Sequence, residues 1–338
     1  ASVADSIFLN PVGAVDIHGL AAAIAYPKKL LDKLGIEMQV IRVGTFKSAV
    51  EPYMIDSISP ANRLQQEQYL GSIWSNMVDS IAQSRKLTPT RVNQIADGIV
   101  MTLPADTLKS YRLIDGICYR REFENKLTKV DLDDDLNLIS PQDLASSTDA
   151  TSKGSKEIAV VYAVGEIDGQ PGSGIDSEEL VETIQDLEND KDVAGLVLRV
   201  NSPGGSAFGS EQIWKALDDF KKSGKTFAVS MGDYAASGGY YISCGGQRIF
   251  AEPTTITGSI GIFGVIPNLS GIVNDKLQVN ISIVKTNANA DFGVLTNPLS
   301  PVQRAAMQNM INRGYDLFTS RCANGRGVSQ DSIKAIAE

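Results

Sequence analysis

Residues 193–206 read VAGLVLRVNSPGGS. Val193–Val200 is a short, nearly unbroken apolar run, and the Pro-Gly-Gly that follows ends it sharply. Such a run fits a strand buried on both faces, as parallel sheets require. The surroundings agree with that reading. Ile158–Val164 (IAVVYAV) is a second β-branched run, and Phe227–Met231 predicts a third strand, followed by a loop and a helical stretch from Gly238. Between them, Glu178–Glu188 places Leu180, Val181, Ile184 and Leu187 on one side of a helix, and Ser210–Lys222 predicts another. Strands alternating with helices imply an α/β fold, its mostly parallel sheet covered by helices on both faces. In such sheets ligands collect beyond the carboxyl ends of the strands.

Composition narrows the class of function. The chain has 338 residues, with 31 basic and 40 acidic side chains and a net charge of −9. That balance argues against nucleic acid as the main partner and against a polybasic membrane-surface patch. No apolar run approaches the ~18 residues of a membrane-spanning helix. A single histidine, His18, disfavours an imidazole-built zinc site and leaves one candidate for a Ser-His-Asp triad. Cys118, Cys244 and Cys322 form no CxxC pair and read as buried apolar residues. Neither a metal nor a cofactor is expected. Gly258, Gly261 and Gly264 lack the spacing of a dinucleotide loop.

An internal repeat organises the chain. Ser59-Pro60 falls on Ser300-Pro301, Arg63 on Arg304, Trp74 on Tyr315 and Arg85 on Arg326. Leu87–Asp97 (LTPTRVNQIAD) falls on VSQDSIKAIAE at the same offset, with Thr88 and Ser329 placed as N-caps of matching helices. Residues 1–127 therefore read as the C-terminal part of a first copy, 128–157 as a linker and 158–338 as a second copy. The linker carries the acidic run Asp131, Asp133, Asp134 and Asp135 and a Ser/Thr/Gly-rich stretch. The first copy lacks its opening half and the second stops before the segment that follows Asp97 in the first. The chain is accordingly expected to be an excerpt of a longer protein. The Met307, Met310 and Ile311 stripe reads as helix core.

Two glycine-rich stretches of the second copy can carry chemistry. Gly204 and Gly205, directly after a buried strand, read either as a tight turn or as amide donors able to stabilise an oxyanion. Ser237, in residues 233–241 (DYAASGGYY), sits where a strand gives way to a helix, the dipole of which favours a developing anion. Taken alone, it reads first as a helix N-cap. As a nucleophile it needs a base. His18 is a poor choice, because its repeat counterpart near Ile260 is apolar. A lysine neutralised by burial is the other amine available. Lys47, in residues 43–52 (VGTFKSAVEP), has Ala290 opposite it in the second copy. Serine and lysine are thus split between the copies.

Residues 198–214 (LRVNSPGGSAFGSEQIW), 229–243 (VSMGDYAASGGYYIS) and 253–265 (PTTITGSIGIFGV) resemble the signal peptide peptidase A (protease IV) family in its long tandem-repeat form. The resemblance spans essentially the whole chain and implies a tandem repeat of Clp protease/crotonase-like domains, the first truncated at its N-terminus. It implies a serine endopeptidase with a Ser/Lys dyad: Ser237 as nucleophile, Lys47 as general base, Ser259 of the TGSIG stretch orienting the lysine, and Gly204 and Gly205 at the oxyanion hole. The implied substrates are cleaved signal peptides and other short apolar peptides. It further implies a homotetramer at the bacterial inner membrane, with its catalytic domain on the periplasmic or outer face and an N-terminal anchor absent from this chain. A crotonase-type acyl-CoA enzyme and a catalytically silent scaffold are the competing readings. The first would not need Ser237, and retention of both Ser237 and Lys47 weighs against the second.

Overall fold

A computed structural model describes residues 1–128, 139–147, 154 and 156–337. Asp131, Asp133, Asp134 and Asp135 lie outside the described residues, and the part of the expected linker that is described includes a short helix, Pro141–Ser147. The chain divides into two compact units, Ala1–Ala22 with Gln68–Lys153 and Ala23–Glu67 with Gly154–Glu338. The segment bearing Lys47 therefore belongs to the same unit as Ser237.

The smaller unit is mainly helical. Its core gathers Ile95, Val100, Leu108, Leu113 and Ile114, beside a short parallel pairing of Phe8–Leu9 with Gly116–Ile117. Arg85, itself buried, donates to the Arg112 carbonyl and to Asp115 at 2.7 and 2.8 Å, so its charge is compensated. His18 pairs with Asp16 at 2.6 Å in an exposed position.

The larger unit holds the parallel sheet. Glu157–Val164, Val193–Ser202, Thr226–Ala236 and Arg248–Phe250 lie side by side in that order, and Ile256–Gly258 extends the edge of Thr226–Ala236. Leu196, Leu198 and Val200 alternate with outward residues and meet Phe227, Val229 and Met231 on one face. Helices Ser177–Asn189 and Ala207–Lys222 cover that face with Leu180, Ile184, Ile213, Leu217 and Phe220. Burial of so many large apolar side chains, each contributing about 1.5–3 kcal/mol, is the main force holding the unit together.

Three details differ from the sequence reading. Where a loop was expected after Met231, the strand continues to Ala236, because Tyr234–Ala236 pair with Ile256–Gly258. The second helix begins at Ala207 rather than Ser210, since Ser206 accepts the Gly209 N–H and caps it. The opposite sheet face is open along the edge strand, where Ile158, Val160, Tyr162 and Val164 are all exposed. The expected helix cover on both faces is therefore incomplete in the described chain.

Helices Pro60–Arg85 and Pro301–Arg326 are both 26 residues long and start 241 residues apart; Pro89–Ala96 and Gln330–Ala337 are both 8 residues long at the same offset. Thr88 and Ser329 cap the second pair by accepting the N–H groups of Arg91 and Ser332.

Candidate active site

Strand pairing brings the chemistry together. Thr226–Ala236 and Ile256–Gly258 run parallel, with Ala236 opposite Gly258, and the Ser237 N–H donates to the Gly258 carbonyl at 2.9 Å. Ser237 and Ser259 thus leave neighbouring strands side by side. Glu37–Arg42 runs antiparallel to Phe263–Asn268, with Arg42 opposite Phe263. Residues just after Arg42 must then approach residues just before Phe263. Arg42 closes the turn by donating to the Lys47 carbonyl at 3.3 Å. Lys47 arrives beside Ser259 and Ser237 as a result.

The Lys47 ammonium nitrogen lies 3.0 Å from Ser237 Oγ, 3.0 Å from Ser259 Oγ and 3.1 Å from the Ser259 carbonyl. Three oxygens satisfy the three hydrogens of an ammonium, or the two hydrogens and lone pair of an amine. Lys47 is buried, and among the described residues no carboxylate pairs with it. Desolvation lowers its pKa from 10.5 to about 8. A neutral amine is therefore within reach near physiological pH, and one in this position can accept the serine proton.

Ser237 does not cap the helix Gly238–Ser243 with its side chain; its backbone sits at φ 53°, ψ −118°. Such a conformation is costly for any residue with a Cβ, by about 1–3 kcal/mol, and here it holds the hydroxyl toward Lys47. The glycines around it are dictated by packing. A Cβ at Gly238 would meet Ser210 Oγ at 2.6 Å, and one at Gly239 would meet the Ser202 carbonyl at 2.5 Å. Ser259 shares the strain, at φ 48°.

Gly204 and Gly205 flank the serine but differ in what they offer. The Gly204 N–H donates to Ser202 Oγ at 3.2 Å, so that amide is already engaged. The Gly204 carbonyl and the Ser206 N–H both bond Ile167, at 2.9 Å each. Alternation along an extended chain turns the intervening Gly205 amide to the other side, where Gly205 lines a cavity with Ser237. Among the described residues, neither the Gly205 N–H nor the Gly238 N–H meets an acceptor. Gly205 and Gly238, which line the same cavity as Ser237, therefore both offer free donors. The sequence reading missed Gly238, although the Ser-Gly-Gly of residues 237–239 signalled it: the first N–H groups of a helix are unpaired.

The cavity beside Ser237 has a volume of about 370 Å³. Apolar side chains wall it, among them Ile262, Phe263, Ile311, Leu317 and Phe318. Of the methionine stripe expected as helix core, Ile311 is buried, but Met310 is 49% exposed and lines the cavity. Among the described residues no cluster of His, Cys, Asp or Glu could hold a metal ion.

A parallel α/β sheet that presents a strained serine to a buried, neutralisable amine beside an apolar cavity has the make-up of a serine hydrolase. The chain belongs to peptidase family S49, whose model matches residues 1–132 and 219–338. Lys47, Ser237 and Ser259 lie within the matched segments; Gly204 and Gly205 lie between them. The chain is 38% identical to Protease 4 of Salmonella typhi over 351 residues, covering 100% of this chain and 56% of that protein. It is 35% identical to Protease 4 of Haemophilus influenzae over 352 residues, 100% of this chain and 57% of that one. It is 28% identical to the chloroplastic serine protease SPPA of Arabidopsis thaliana over 348 residues, 99% of this chain and 51% of that protein. The chain thus spans about half the length of these curated relatives.

Proposed function

We propose that this chain carries the reaction centre of a serine endopeptidase that uses a Ser237/Lys47 dyad to hydrolyse cleaved signal peptides and other short apolar peptides at a membrane. The observation that carries it is the 3.0 Å contact between Lys47 Nζ and Ser237 Oγ inside a water-poor site. Neutral Lys47 takes the Ser237 proton, and the alkoxide attacks the peptide carbonyl to form a tetrahedral intermediate. The N–H groups of Gly205 and Gly238 hold the resulting oxyanion. Lys47, now charged, gives its proton to the departing amine. Water then enters and loses a proton to Lys47 as it attacks the acyl-serine. The Ser237 oxygen leaves and takes that proton back from Lys47, so that the free acid is released and Lys47 returns to the neutral amine. Ser259 holds the amine aimed at Ser237 through both of its oxygens.

The apolar cavity beside Ser237 supports apolar peptides as substrates, and the names of the relatives support peptidase chemistry. In this reading residues 1–127 and 158–338 are two copies of one domain joined by 128–157, as the helix pairs 241 residues apart suggest. The assembly is a homotetramer fixed to the inner membrane by a segment outside this chain, with its sites on the periplasmic or outer face. Among the described residues no helix is long and apolar enough to cross a membrane.

The test is Lys47→Ala in the full-length protein, assayed on an apolar peptide and with a serine-acylating probe. We expect loss of both turnover and Ser237 labelling. Undiminished activity would falsify the dyad; a crotonase-type acyl-CoA enzyme would instead leave Ser237 unlabelled in the wild type.

A further inference from the structure

Glu51 lies four residues after Lys47 and takes no part in the proton transfers above. It is 5% exposed. Its carboxylate accepts from four donors: the Ser59 N–H at 2.9 Å, the Ser59 hydroxyl at 2.6 Å, the Asn62 amide at 3.1 Å and the Tyr26 hydroxyl at 3.0 Å. Burial alone would push its pKa up, but the hydrogen bonds from Ser59, Asn62 and Tyr26 outweigh that and leave it lowered. A buried carboxylate so fully satisfied is a rigid node. It fastens the short 3₁₀-helical turn segment Ser48–Tyr53, of which Lys47 is the N-cap residue, to the start of helix Pro60–Arg85.

The node is not required merely to cap a helix. At the matching helix start, Ser300 accepts the Gln303 N–H at 3.2 Å and its own N–H donates to Gln303 Oε1 at 2.9 Å. That capping box closes locally, without an upstream carboxylate. With Arg42 set on Lys285, an offset of 243 against the 241 of the helix starts, Lys47 falls on Ala290 and Glu51 on Val294. Lysine and glutamate are present together in one segment and absent together in the other, whereas the helix-capping serine stands in both.

We infer that Glu51 is a positioning residue for Lys47: its four-donor anchor fixes the turn that holds the amine buried against Ser237 and Ser259. This rests on the dyad reading. Without the anchor the turn loosens, water reaches the amine, and Lys47 keeps its proton to higher pH.

The experiment uses the full-length protein and compares the wild type with Glu51→Gln, Asn62→Ala, Tyr26→Phe and Lys47→Ala. Gln puts N–H groups against donors without opening a cavity, and the other two anchor variants each remove one donor while keeping the carboxylate. The charged and titratable groups around Glu51 are Tyr26, with Arg63 beside it, and Arg42 across the adjoining cavity; Tyr26→Phe isolates the first. Circular dichroism establishes folding, and the pH profile of kcat/KM gives the apparent pKa of the base. We expect the ascending limb of Glu51→Gln to move up by about one pH unit, a roughly tenfold loss at pH 7 recovered at alkaline pH, with KM little changed. Asn62→Ala and Tyr26→Phe should move it less, in the same direction, and they decide the matter if Glu51→Gln does not fold. Folded anchor variants whose limb stays at the wild-type position, with Lys47→Ala inactive, overturn the role of Glu51 alone. Full activity in Lys47→Ala instead removes the dyad and this inference with it.

Discussion

Lys47 Nζ stands 3.0 Å from Ser237 Oγ although 190 residues separate the two along the chain. Neither residue reaches the other through local structure. Parallel pairing of Tyr234–Ala236 with Ile256–Gly258 and antiparallel pairing of Glu37–Arg42 with Phe263–Asn268 act in series to close the gap. The contact is therefore a product of sheet register, and a one-residue slip in either pairing would turn the side chains to the wrong face.

Activity should depend on pH through the amine. Burial holds the Lys47 pKa at about 8, and only the neutral form accepts the serine proton. The kcat/KM of the full-length enzyme should rise with pH and level off above that value, with about a tenth of the plateau at pH 7. Ser259→Ala, which removes one oxygen from the amine, should lower the plateau. A flat profile between pH 6 and 9 would contradict a lysine base.

The same burial predicts a stability effect of defined sign. In the unfolded chain Lys47 titrates near 10.5; in the folded one it titrates near 8. Between those values the unfolded state holds a proton that the folded state has released, so stability rises with pH across the window. Below about pH 8 the charged amine is a burden of up to roughly 3 kcal/mol, reduced by its three hydrogen bonds. Lys47→Met should therefore melt higher than the wild type at pH 7, and the gap should shrink by pH 10. A gap that widened instead would show that Lys47 is stabilised as a cation.

Ser237 offers a way to separate strain from chemistry. Replacing it with either Ala or Gly removes the hydroxyl, but only Gly relieves the Cβ at φ 53°. Both variants should be inactive. Ser237→Gly should be more stable than Ser237→Ala by about 1 kcal/mol, measured by chemical denaturation. Equal stabilities would mean that the serine backbone carries no strain.

What could be read beforehand was whatever depends on local pattern. Val193–Val200 and Ile158–Val164 show strands in their composition, and Leu180 and Ile184 show a helix in their spacing. Ser237 was legible as a hydroxyl among small residues at a strand-to-helix junction, a place that fits a helix cap first, and only family resemblance pointed to a nucleophile there. Lys47 was legible only through the repeat, where Ala290 replaces it, and through family resemblance. The continuation of Thr226–Ala236 past Met231 was not legible, because its partner Ile256–Gly258 lies in a loop-like Thr-rich stretch. Nor was the engagement of the Gly204 amide by Ser202, since a side-chain acceptor two residues upstream leaves no trace in pattern.

Gly204 should tolerate nothing larger. Its φ is 109°, and a Cβ there would lie 2.7 Å from the Gly238 nitrogen and 2.8 Å from Ser237 Cβ. Backbone cannot swing aside as a flexible side chain can. Gly204→Ala should destabilise the fold by about 1–3 kcal/mol and abolish acylation of Ser237 even where the protein remains folded. Retained labelling at the wild-type rate would show that the loop yields without disturbing the Gly238 donor.

The apolar cavity gives the last prediction, through Gly314. This residue sits on the cavity wall in helix Pro301–Arg326, and a Cβ there would meet the Ile262 side chain, its Cδ1 at 2.8 Å and its Cγ2 at 3.9 Å. The obstacle is the far end of a rotatable side chain, so Gly314→Ala should fold, helped by the better helix propensity of alanine, about 1 kcal/mol. The displaced Ile262 methyl and the new Cβ would both take up room in a space of about 370 Å³. Large apolar side chains of a substrate should lose more than small ones, because one methylene in such a pocket is worth about 1–3 kcal/mol. Relative kcat/KM on paired peptides differing only by Leu or Ala beside the scissile bond should shift toward Ala by about tenfold or more in Gly314→Ala, and further in Gly314→Leu. An unchanged Leu-to-Ala ratio in both variants would mean that the substrate side chain does not enter this cavity.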